Sequence, residues 1–340
     1  MAQVLVTGGT GFIGSWCVRA ALDAGHTVRT TVRDPRREPE LRARLHTATP
    51  FDDDRLTVVR ADLEDPDGWG DAVTGCDYVL HVASPTLRRA PAHGDELLVP
   101  AREGALRVLR AARDADVRRV VLTSAFGAVG IGHPPRATPF TEEDWTNLDS
   151  DIPPYQRSKT LAERAAWQFI REEGDKLELA AVHPTGVLGP LLGPDDPPSL
   201  RLVRRMLEGR MPACPPFGMG FVDVRDVADL HLRAMTNPAA AGERFLATAG
   251  HSLRVIDIAR ILHDRLGERA AKAPTRELPV WLTRALGVVN PELRLLRHQL
   301  GRDLDATSAK AEQLLGWQAR PIEDTIADTA ESLLTRAIGA

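Results

Sequence analysis

The sequence predicts an α/β protein in which a doubly wound parallel sheet is combined with a smaller, mostly helical C-terminal lobe. One observation is that short apolar, β-branched runs alternate with longer amphipathic segments over the first half of the chain. Another is that Pro and Gly accumulate over residues 184–220, and that the patterns after residue 250 are mostly helical. Strands that alternate with helices are typical of βαβ units, whose sheet is covered on both faces.

The predicted elements follow one another from the N-terminus. Runs rich in Val, Leu and Thr indicate strands, whereas apolar residues near i, i+3, i+4 and i+7 indicate helices. Strands are predicted over Gln3–Val6, Thr27–Val32, Leu56–Arg60, Tyr78–Ala83, Arg119–Thr123 and Leu177–Val182. Helices are predicted over Phe12–Ala24, Glu96–Ala115, Gln156–Glu173, Leu200–Glu208, Ala309–Leu315 and Ile322–Arg336.

Composition and charge exclude several classes of protein. The chain has 43% hydrophobic and 26% charged residues with a net charge of -4, which fits a globular protein without a basic surface for nucleic acid. Cys17, Cys76 and Cys214 form no CxxC pair, so we expect neither disulfides nor a metal site. The chain has no apolar run as long as a membrane span. We therefore expect a soluble cytoplasmic protein without nucleic-acid or membrane partners, and the sequence leaves its oligomeric state open.

A glycine-rich turn joins the first predicted strand to the first predicted helix. The turn reads TGGTGFIG over residues 7–14, and Gly8, Gly11 and Gly14 give a GxxGxxG spacing. Such a turn lets the backbone approach a pyrophosphate, which the N-terminus of the following helix then binds. The sequence therefore predicts a Rossmann-type dinucleotide site formed by Gly8, Thr10, Gly11, Phe12, Ile13 and Gly14.

This site suggests how the chain is divided into domains. We expect residues 1–183 to form the dinucleotide-binding domain, to which residues 221–249 return with a strand–helix–strand pattern. Residues 184–220 and 250–340 are expected to form the substrate-binding lobe. The first of these segments is rich in Pro, Gly and apolar residues, which suits a loop that walls a pocket.

The end of the second strand indicates which dinucleotide binds. NAD-binding folds place a carboxylate there, which holds the ribose 2′-hydroxyl. This chain has Arg33 at that position, and a guanidinium suits the 2′-phosphate of NADP(H). Asp34 follows directly and is able to serve NAD(H) instead. The sequence favours NADP(H) and leaves NAD(H) possible.

Tyr155 and Lys159 lie four residues apart in a predicted helix. The chain contains only 2 Tyr, so the spacing is informative. Positions i and i+4 share one helix face, and we expect the Lys159 ammonium to lower the pKa of the Tyr155 phenol. A phenol with a lowered pKa is a usable general acid near neutral pH, and the same ammonium can bind the nicotinamide ribose.

Several motifs in order resemble the extended short-chain dehydrogenase/reductase family. They are TGGTGFIG, TVRDP at 31–35, HVASP at 81–85, YQRSK at 155–159, HPTGVLGP at 183–190 and LGW at 315–317. Within the family the chain looks most like the dihydroflavonol reductase and aldehyde (carbonyl) reductase branch. The resemblance implies that Arg33 contacts the 2′-phosphate. It further implies cofactor contacts for Asp62, Leu63, Val82, Ala83, Ser84, Thr123, Tyr155, Lys159, Pro184, Thr185, Gly186, Val187 and Ser199.

The chain departs from the family at two positions. Relatives commonly read T-S-S at the end of the fifth strand, where the second serine binds the substrate carbonyl, but here that serine aligns with Ala125. Ser124, Thr123 or no hydroxyl takes that role, and we select Ser124 as the third catalytic residue. Gly130 stands where plant dihydroflavonol reductases carry a substrate-binding Asn, so the resemblance does not extend to flavonoid specificity.

These features predict NADPH-dependent reduction of a ketone or aldehyde to an alcohol. The cofactor supplies the hydride and Tyr155 supplies the proton. One alternative is an NAD(P)-dependent sugar-nucleotide epimerase or dehydratase, which shares the fold and the Tyr/Lys pair. Another is a non-catalytic, dinucleotide-sensing regulator. The sequence does not identify the small-molecule carbonyl substrate.

Overall fold

A computed structural model describes residues 1–48, 50–85, 95–194, 197–288, 290, 293–294, 296–297 and 299–338. Its strands are β1 (Gln3–Val6), β2 (Thr27–Val32), β3 (Leu56–Arg60), β4 (Tyr78–His81), β5 (Arg119–Thr123), β6 (Glu178–Pro184), β7 (Gly186–Leu188), β8 (Gly218–Met219), β9 (Phe221–Asp223), β10 (Arg244–Ala247), β11 (Leu253–Arg254) and β12 (Asp303–Leu304). Its helices are α1 (Phe12–Asp23), α2 (Glu38–Ala48), α3 (Trp69–Val73), α4 (Asp95–Asp114), α5 (Pro154–Glu173), α6 (Arg201–Leu207), α7 (Val224–Thr236), α8 (Val255–Leu266), α9 (Val280–Leu286), α10 (Ala309–Leu315) and α11 (Ile322–Ile338).

A parallel sheet of seven strands dominates the described residues, in the order β10-β6-β5-β4-β1-β2-β3. The predicted doubly wound parallel sheet is therefore confirmed. The chain builds outward from β1 to β3 on one side and from β4 to β6 on the other, so the strand order reverses between β1 and β4. Parallel sheets of this kind bind ligands at the carboxyl edge beside such a reversal.

The side chains of alternating strand residues pack into two different hydrophobic clusters, one on each face of the sheet. Val4 and Val6 pack with Val227 and Leu230 of α7 on one face of the sheet. Leu5 packs on the other face, in a cluster with residues of α4 and α5. Successive side chains of a strand point to opposite faces, so a sheet covered on both sides needs apolar residues at every position. A third cluster joins α6, α8 and α11 in the second lobe.

Several predicted boundaries differ from the structure by one or two residues. β4 ends at His81, not at residue 83, because the next residues turn away and Ala83 N–H donates to Thr7 Oγ1 at 2.9 Å. α5 begins at Pro154, not at residue 156, and proline suits the first helical position because its missing N–H would have no partner there. β6 starts one residue later than predicted and extends to Pro184.

The segment over residues 221–249 divides between two sheets. β9 pairs with β7 in a separate parallel ladder, whereas β10 joins the main sheet beside β6. Short strands β8, β11 and β12 form a further sheet in the second lobe. The division into two domains stays a prediction. Within the described ranges, no helix is long and apolar enough to cross a membrane.

Candidate active site

The glycine turn brings backbone N–H groups to the carboxyl edge of the sheet. Gly8 has φ +71°, a left-handed conformation that favours glycine, and a Cβ on Gly14 would lie 2.2 Å from the Gly8 carbonyl oxygen. Gly11 is the N-cap residue of α1 and has no capping side chain. The N–H groups of the first helical turn are therefore available to an anion such as a pyrophosphate. The turn contains the predicted residues Gly8, Thr10, Gly11, Phe12, Ile13 and Gly14.

Arg33 and Asp34 differ sharply at the end of β2. Arg33 is exposed and has no hydrogen-bond or ion-pair partner in the part of the chain that the structure describes. The Asp34 carboxylate accepts from Arg36 Nε at 2.9 Å and from Arg36 Nη2 at 2.8 Å. These hydrogen bonds from Arg36 lower the pKa of Asp34. At the position that distinguishes NADP(H) from NAD(H), the Arg33 guanidinium is therefore available to a ligand within the described residues, whereas the Asp34 carboxylate already binds Arg36.

The residues predicted after β3 and β4 lie at the same edge of the sheet. The Asp62 carbonyl accepts from Trp69 Nε1 at 2.9 Å, and Leu63 is buried. Ala83 is joined to the glycine turn through Thr7, as described above. Val82 and Ser84 are half-buried beside it. These positions surround the strand reversal, and their contact with a cofactor stays a prediction.

The residues predicted after β6 run from the main sheet into β7. Pro184, Thr185 and Val187 are buried, and Thr185 Oγ1 donates to the Ala247 carbonyl at 3.1 Å. A Cβ on Gly186 would lie 2.6 Å from a ring atom of Phe221, so the packing requires glycine here. Ser199 is half-buried in the turn Pro198–Leu200 before α6, outside the main sheet.

Tyr155 and Lys159 occupy the first turns of α5, as predicted. Lys159 Nζ donates to the Thr123 carbonyl at 3.1 Å. Burial lowers the pKa of Lys159 to about 8, although nearby Glu163 acts in the opposite direction. The pKa of Tyr155 is raised by desolvation even though its side chain is 47% exposed, so the expected lowering by Lys159 is wrong for this structure. The Lys159 ammonium donates to a backbone carbonyl, and desolvation is the cause that raises the Tyr155 pKa.

The two hydroxyl groups at the end of β5, those of Ser124 and Thr123, both donate hydrogen bonds within the protein. Ser124 Oγ donates to Glu163 Oε2 at 2.5 Å. His231 Nδ1 lies 2.7 Å from the Val227 carbonyl, which can only accept, so Nδ1 carries the proton of a neutral ring. Burial lowers the pKa of His231 to about 4, which keeps the ring neutral at pH 7. Its Nε2 is therefore the acceptor for Thr123 Oγ1 at 2.7 Å.

Glu163 is a buried junction between α5, β6 and β10. Besides Ser124, it accepts from His183 Nε2 at 2.8 Å and from Arg244 Nε at 2.8 Å. Burial by itself would raise the pKa of Glu163, but His183, Arg244 and the Ser124 hydroxyl lower it to about 2. The carboxylate therefore remains charged at neutral pH and holds Ser124 in place.

Our sequence analysis missed Glu163, although a signal was present. Tyr155, Lys159 and Glu163 recur every four residues and therefore share one face of α5. A small cavity of about 20 Å³ between α4, α5 and the ends of β4 and β5 is lined by both Lys159 and Glu163. The same cavity is lined by five other residues singled out above, namely His81, Ala83, Ser84, Thr123 and Ser124.

The sheet reversal, the glycine turn and the Tyr–Lys face define a dinucleotide-binding protein of the α/β class. The chain belongs to the NAD dependent epimerase/dehydratase family, whose model matches residues 4–247. The chain is 36% identical over 273 residues to a dihydroflavonol 4-reductase of Zea mays, a match that covers 78% of this chain and 74% of the relative. It is 35% identical to tetraketide alpha-pyrone reductase 2 of Arabidopsis thaliana, over 76% of this chain and 82% of the relative.

A solved structure of a yeast reductase shares the fold over nearly the whole chain. It is the methylglyoxal/isovaleraldehyde reductase Gre2 complexed with NADPH, with a TM-score of 0.80 and 26% identity over 99% of this chain and 100% of that one. The predicted resemblance to extended short-chain dehydrogenases is thus confirmed. Because these relatives are named reductases, the prediction of an oxidoreductase is confirmed as well.

Proposed function

We propose that this protein reduces an aldehyde or a ketone to an alcohol, with hydride from NADPH and a proton from the Tyr155 hydroxyl. The observation that carries the proposal is the position of Tyr155 one helical turn before Lys159, whose ammonium lies at the ends of β4 and β5. The names of the reductase relatives support the same reaction type.

The residues at the carboxyl edge fit NADPH. Glycine at position 14 lets α1 begin close against the turn, and the uncapped N–H groups at the start of α1 can bind the pyrophosphate. Arg33 is uncommitted, whereas Asp34 already pairs with Arg36, which favours the 2′-phosphate over a free 2′-hydroxyl. The NADPH complexes of the yeast and Candida albicans Gre2 proteins support this choice. When bound, NADPH supplies the hydride.

Tyr155 is in the protonated form that proton donation requires, because burial raises its pKa above the ordinary value. The phenol is protonated at neutral pH, as a general acid must be, and it can donate to the oxygen of the carbonyl as negative charge develops there. Lys159 is mostly protonated below pH 8, and the N–H donors that it does not give to the Thr123 carbonyl can bind the nicotinamide ribose.

In this proposal the Ser124 hydroxyl donates its hydrogen bond to Glu163 and not to the substrate. Its proton is committed to the Glu163 carboxylate, and that of Thr123 to His231. Of the three alternatives left open by the sequence, the geometry favours the one without a hydroxyl donor. Tyr155 is then the side chain that donates to the carbonyl oxygen.

Substitution of the two tyrosines tests the mechanism. We expect Tyr155→Phe to lower kcat for NADPH-dependent reduction of aldehydes by about a hundredfold or more, because a general acid contributes about 10²–10⁴-fold. The Kd for NADPH should change little. Tyr78→Phe is the matched control, since Tyr78 is buried in β4 and its hydroxyl contacts Arg118. Retention of a tenth of the activity in Tyr155→Phe would contradict the mechanism.

The two alternatives give different results in the same assay. A wild-type protein that oxidises or reduces no carbonyl compound but carries bound NAD after purification would favour an epimerase or a dehydratase. Binding of NADPH without turnover of any aldehyde, ketone or β-ketoester would favour a regulator. Either result would overturn the proposed reduction.

We also place the protein in the cytoplasm. Cys17, Cys76 and Cys214 are buried free thiols, and burial raises the pKa of Cys214 to about 12. Thiols that remain protonated and unpaired suit a reducing compartment. Recovery of the native protein from the membrane or the secreted fraction of its source cells would contradict this placement.

A further inference from the structure

A cavity of about 470 Å³ lies at the N-terminal end of α5, next to the turn that carries Tyr155. Its walls come from residues 130–134 after β5, residues 147–153 before α5, and residues 299–304 of the second lobe. Ile131, Ile152 and Leu304 give it an apolar lining. A cavity of this size and composition suits a small organic molecule.

Arg302 places a positive charge in this wall. The side chain is half-buried, and its Nη1 donates to the His133 carbonyl at 2.8 Å. Within the described ranges no carboxylate pairs with Arg302. A guanidinium has five N–H donors, so one hydrogen bond to a neutral carbonyl leaves most of its capacity unused.

The carboxylates near Arg302 have other partners. Asp151, which also lines the cavity, pairs with Arg297. Asp305 accepts from Ser252 N–H at 2.8 Å and lies 3.2 Å from His251 Nδ1. The charge of Arg302 is therefore not neutralised by these groups, and it is available to an anionic ligand in the cavity.

We propose that Arg302 determines substrate specificity by binding a carboxylate on the carbonyl substrate. This proposal rests on the proposed reduction, and it assigns the substrate class as an oxo acid with an apolar body. The planar guanidinium matches a carboxylate through two parallel N–H···O bonds. The apolar side chains of the cavity bind the body of the substrate, while its carbonyl extends toward Tyr155. Gly130 also lines the cavity, and the ring of Phe126 occupies the space that a Cβ on Gly130 would need.

Paired acids and esters test the proposal by kinetics. The probes are 4-oxopentanoate, 5-oxohexanoate and 6-oxoheptanoate, each assayed against its methyl ester with NADPH. We expect at least one acid to show a kcat/KM about tenfold or more above that of its ester. Arg302→Gln should abolish that preference by raising KM for the acid about 10- to 100-fold, because a charge-assisted hydrogen bond is lost. KM for the ester, which has no charge for Arg302 to bind, should rise far less than KM for the acid, and Arg302→Lys should restore part of the preference.

A binding measurement gives an independent readout. We expect the same acids to bind to NADP-loaded wild-type protein in calorimetric titrations, and to bind at least tenfold more weakly to the Arg302→Gln variant. The control is Arg260→Gln on α8, which removes an exposed arginine that pairs with Asp257. If the acid-to-ester ratios of wild type and Arg302→Gln agree for all three pairs, the specificity proposal is wrong. If no ester, acid or simple aldehyde is reduced, the proposed reduction itself is wrong.

Discussion

Lys159 gives the candidate site a pH dependence that the structure defines. Burial lowers the pKa of this ammonium to about 8, so it loses its proton as pH rises through that value. Tyr155, whose pKa is raised, keeps its proton over the same range. We therefore expect kcat/KM for NADPH, which reports groups of the free enzyme, to be level near pH 7 and to fall about tenfold per pH unit well above pH 8.

The Lys159→Arg variant distinguishes this lysine from other groups. A guanidinium remains charged over the whole range, so the descending limb near pH 8 should disappear from whatever activity is left. The measurement is the same pH profile, recorded with both proteins between pH 6.5 and pH 10 in a buffer of constant ionic strength. A limb that stays near pH 8 in the variant would assign the titration to a different residue.

Substitutions of Arg33 and Asp34 test which residue determines the KM values for NADPH and NADH. Arg33→Gln should raise KM for NADPH about 10- to 100-fold, because hydrogen bonds between the charged guanidinium and the 2′-phosphate are lost. KM for NADH should change little. Asp34→Asn tests the alternative, since a carboxylate that held the NADH ribose would raise KM for NADH when neutralised. We expect no such rise, because Asp34 is already paired with Arg36.

Residues were predictable where the signal was local. The Tyr155–Lys159 pair follows from a four-residue spacing on a helix, and Arg33 follows from its place after a strand. The partners of Ser124 and Thr123 were not predictable in this way. Glu163 and His231 are 39 and 108 positions away along the chain, and only the packed fold brings them to the end of β5. The predicted direction of the Tyr155 pKa shift was wrong for a related reason, since desolvation depends on tertiary packing.

The turn between β1 and α1 depends on close packing. A methyl group on Gly14 would lie 2.2 Å from the Gly8 carbonyl oxygen, so the helix must shift away from the turn. We expect Gly14→Ala to lower the free energy of unfolding by about 1–3 kcal/mol, the range for overpacked sites. NADPH affinity should fall as well, because the N–H groups of α1 move. Unfolding in urea and NADPH titration measure the two effects.

Gly70→Ala on α3 is the matched control. No atom lies within 4 Å of the Cβ position at Gly70, and alanine is the better helix former. This variant should be as stable as the wild type or more stable by about 0.5–1 kcal/mol, with unchanged NADPH affinity. Equal effects of the two substitutions would mean that helix propensity, and not contact with Gly8, governs the turn.

The bounds of the strands were more predictable than the way in which these strands pair within sheets. Strands β1, β2, β3 and β5 have the predicted bounds, because apolar β-branched runs fully buried in a parallel sheet are distinctive. The pairing of β9 with β7 and of β10 with β6 was not evident from the same signal. A run of apolar residues predicts that a strand forms, but its neighbour depends on how the intervening helix packs.

The C-terminal segment packs into the hydrophobic core of the main sheet. Trp317 lies between α10 and α11, is fully buried, and belongs to the cluster that contains Val4 and Val6 of β1. Its Nε1 donates to the Asp226 carbonyl of α7 at 2.9 Å, and Arg320 binds the Asp226 carboxylate at 2.7 Å. The last part of the sequence therefore stabilises the first.

This anchoring predicts how the molecule unfolds. Trp317→Ala should lower the free energy of unfolding by about 3–5 kcal/mol, because a large cavity opens beside α7. Trp281→Ala is the control, since Trp281 is 70% exposed and its loss should change stability by less than about 0.5 kcal/mol. Because Trp317 connects the C-terminal segment to the sheet, the urea transitions seen by far-UV circular dichroism and by tryptophan fluorescence should shift together in Trp317→Ala. If only the fluorescence transition moved, the C-terminal segment would unfold independently of the sheet.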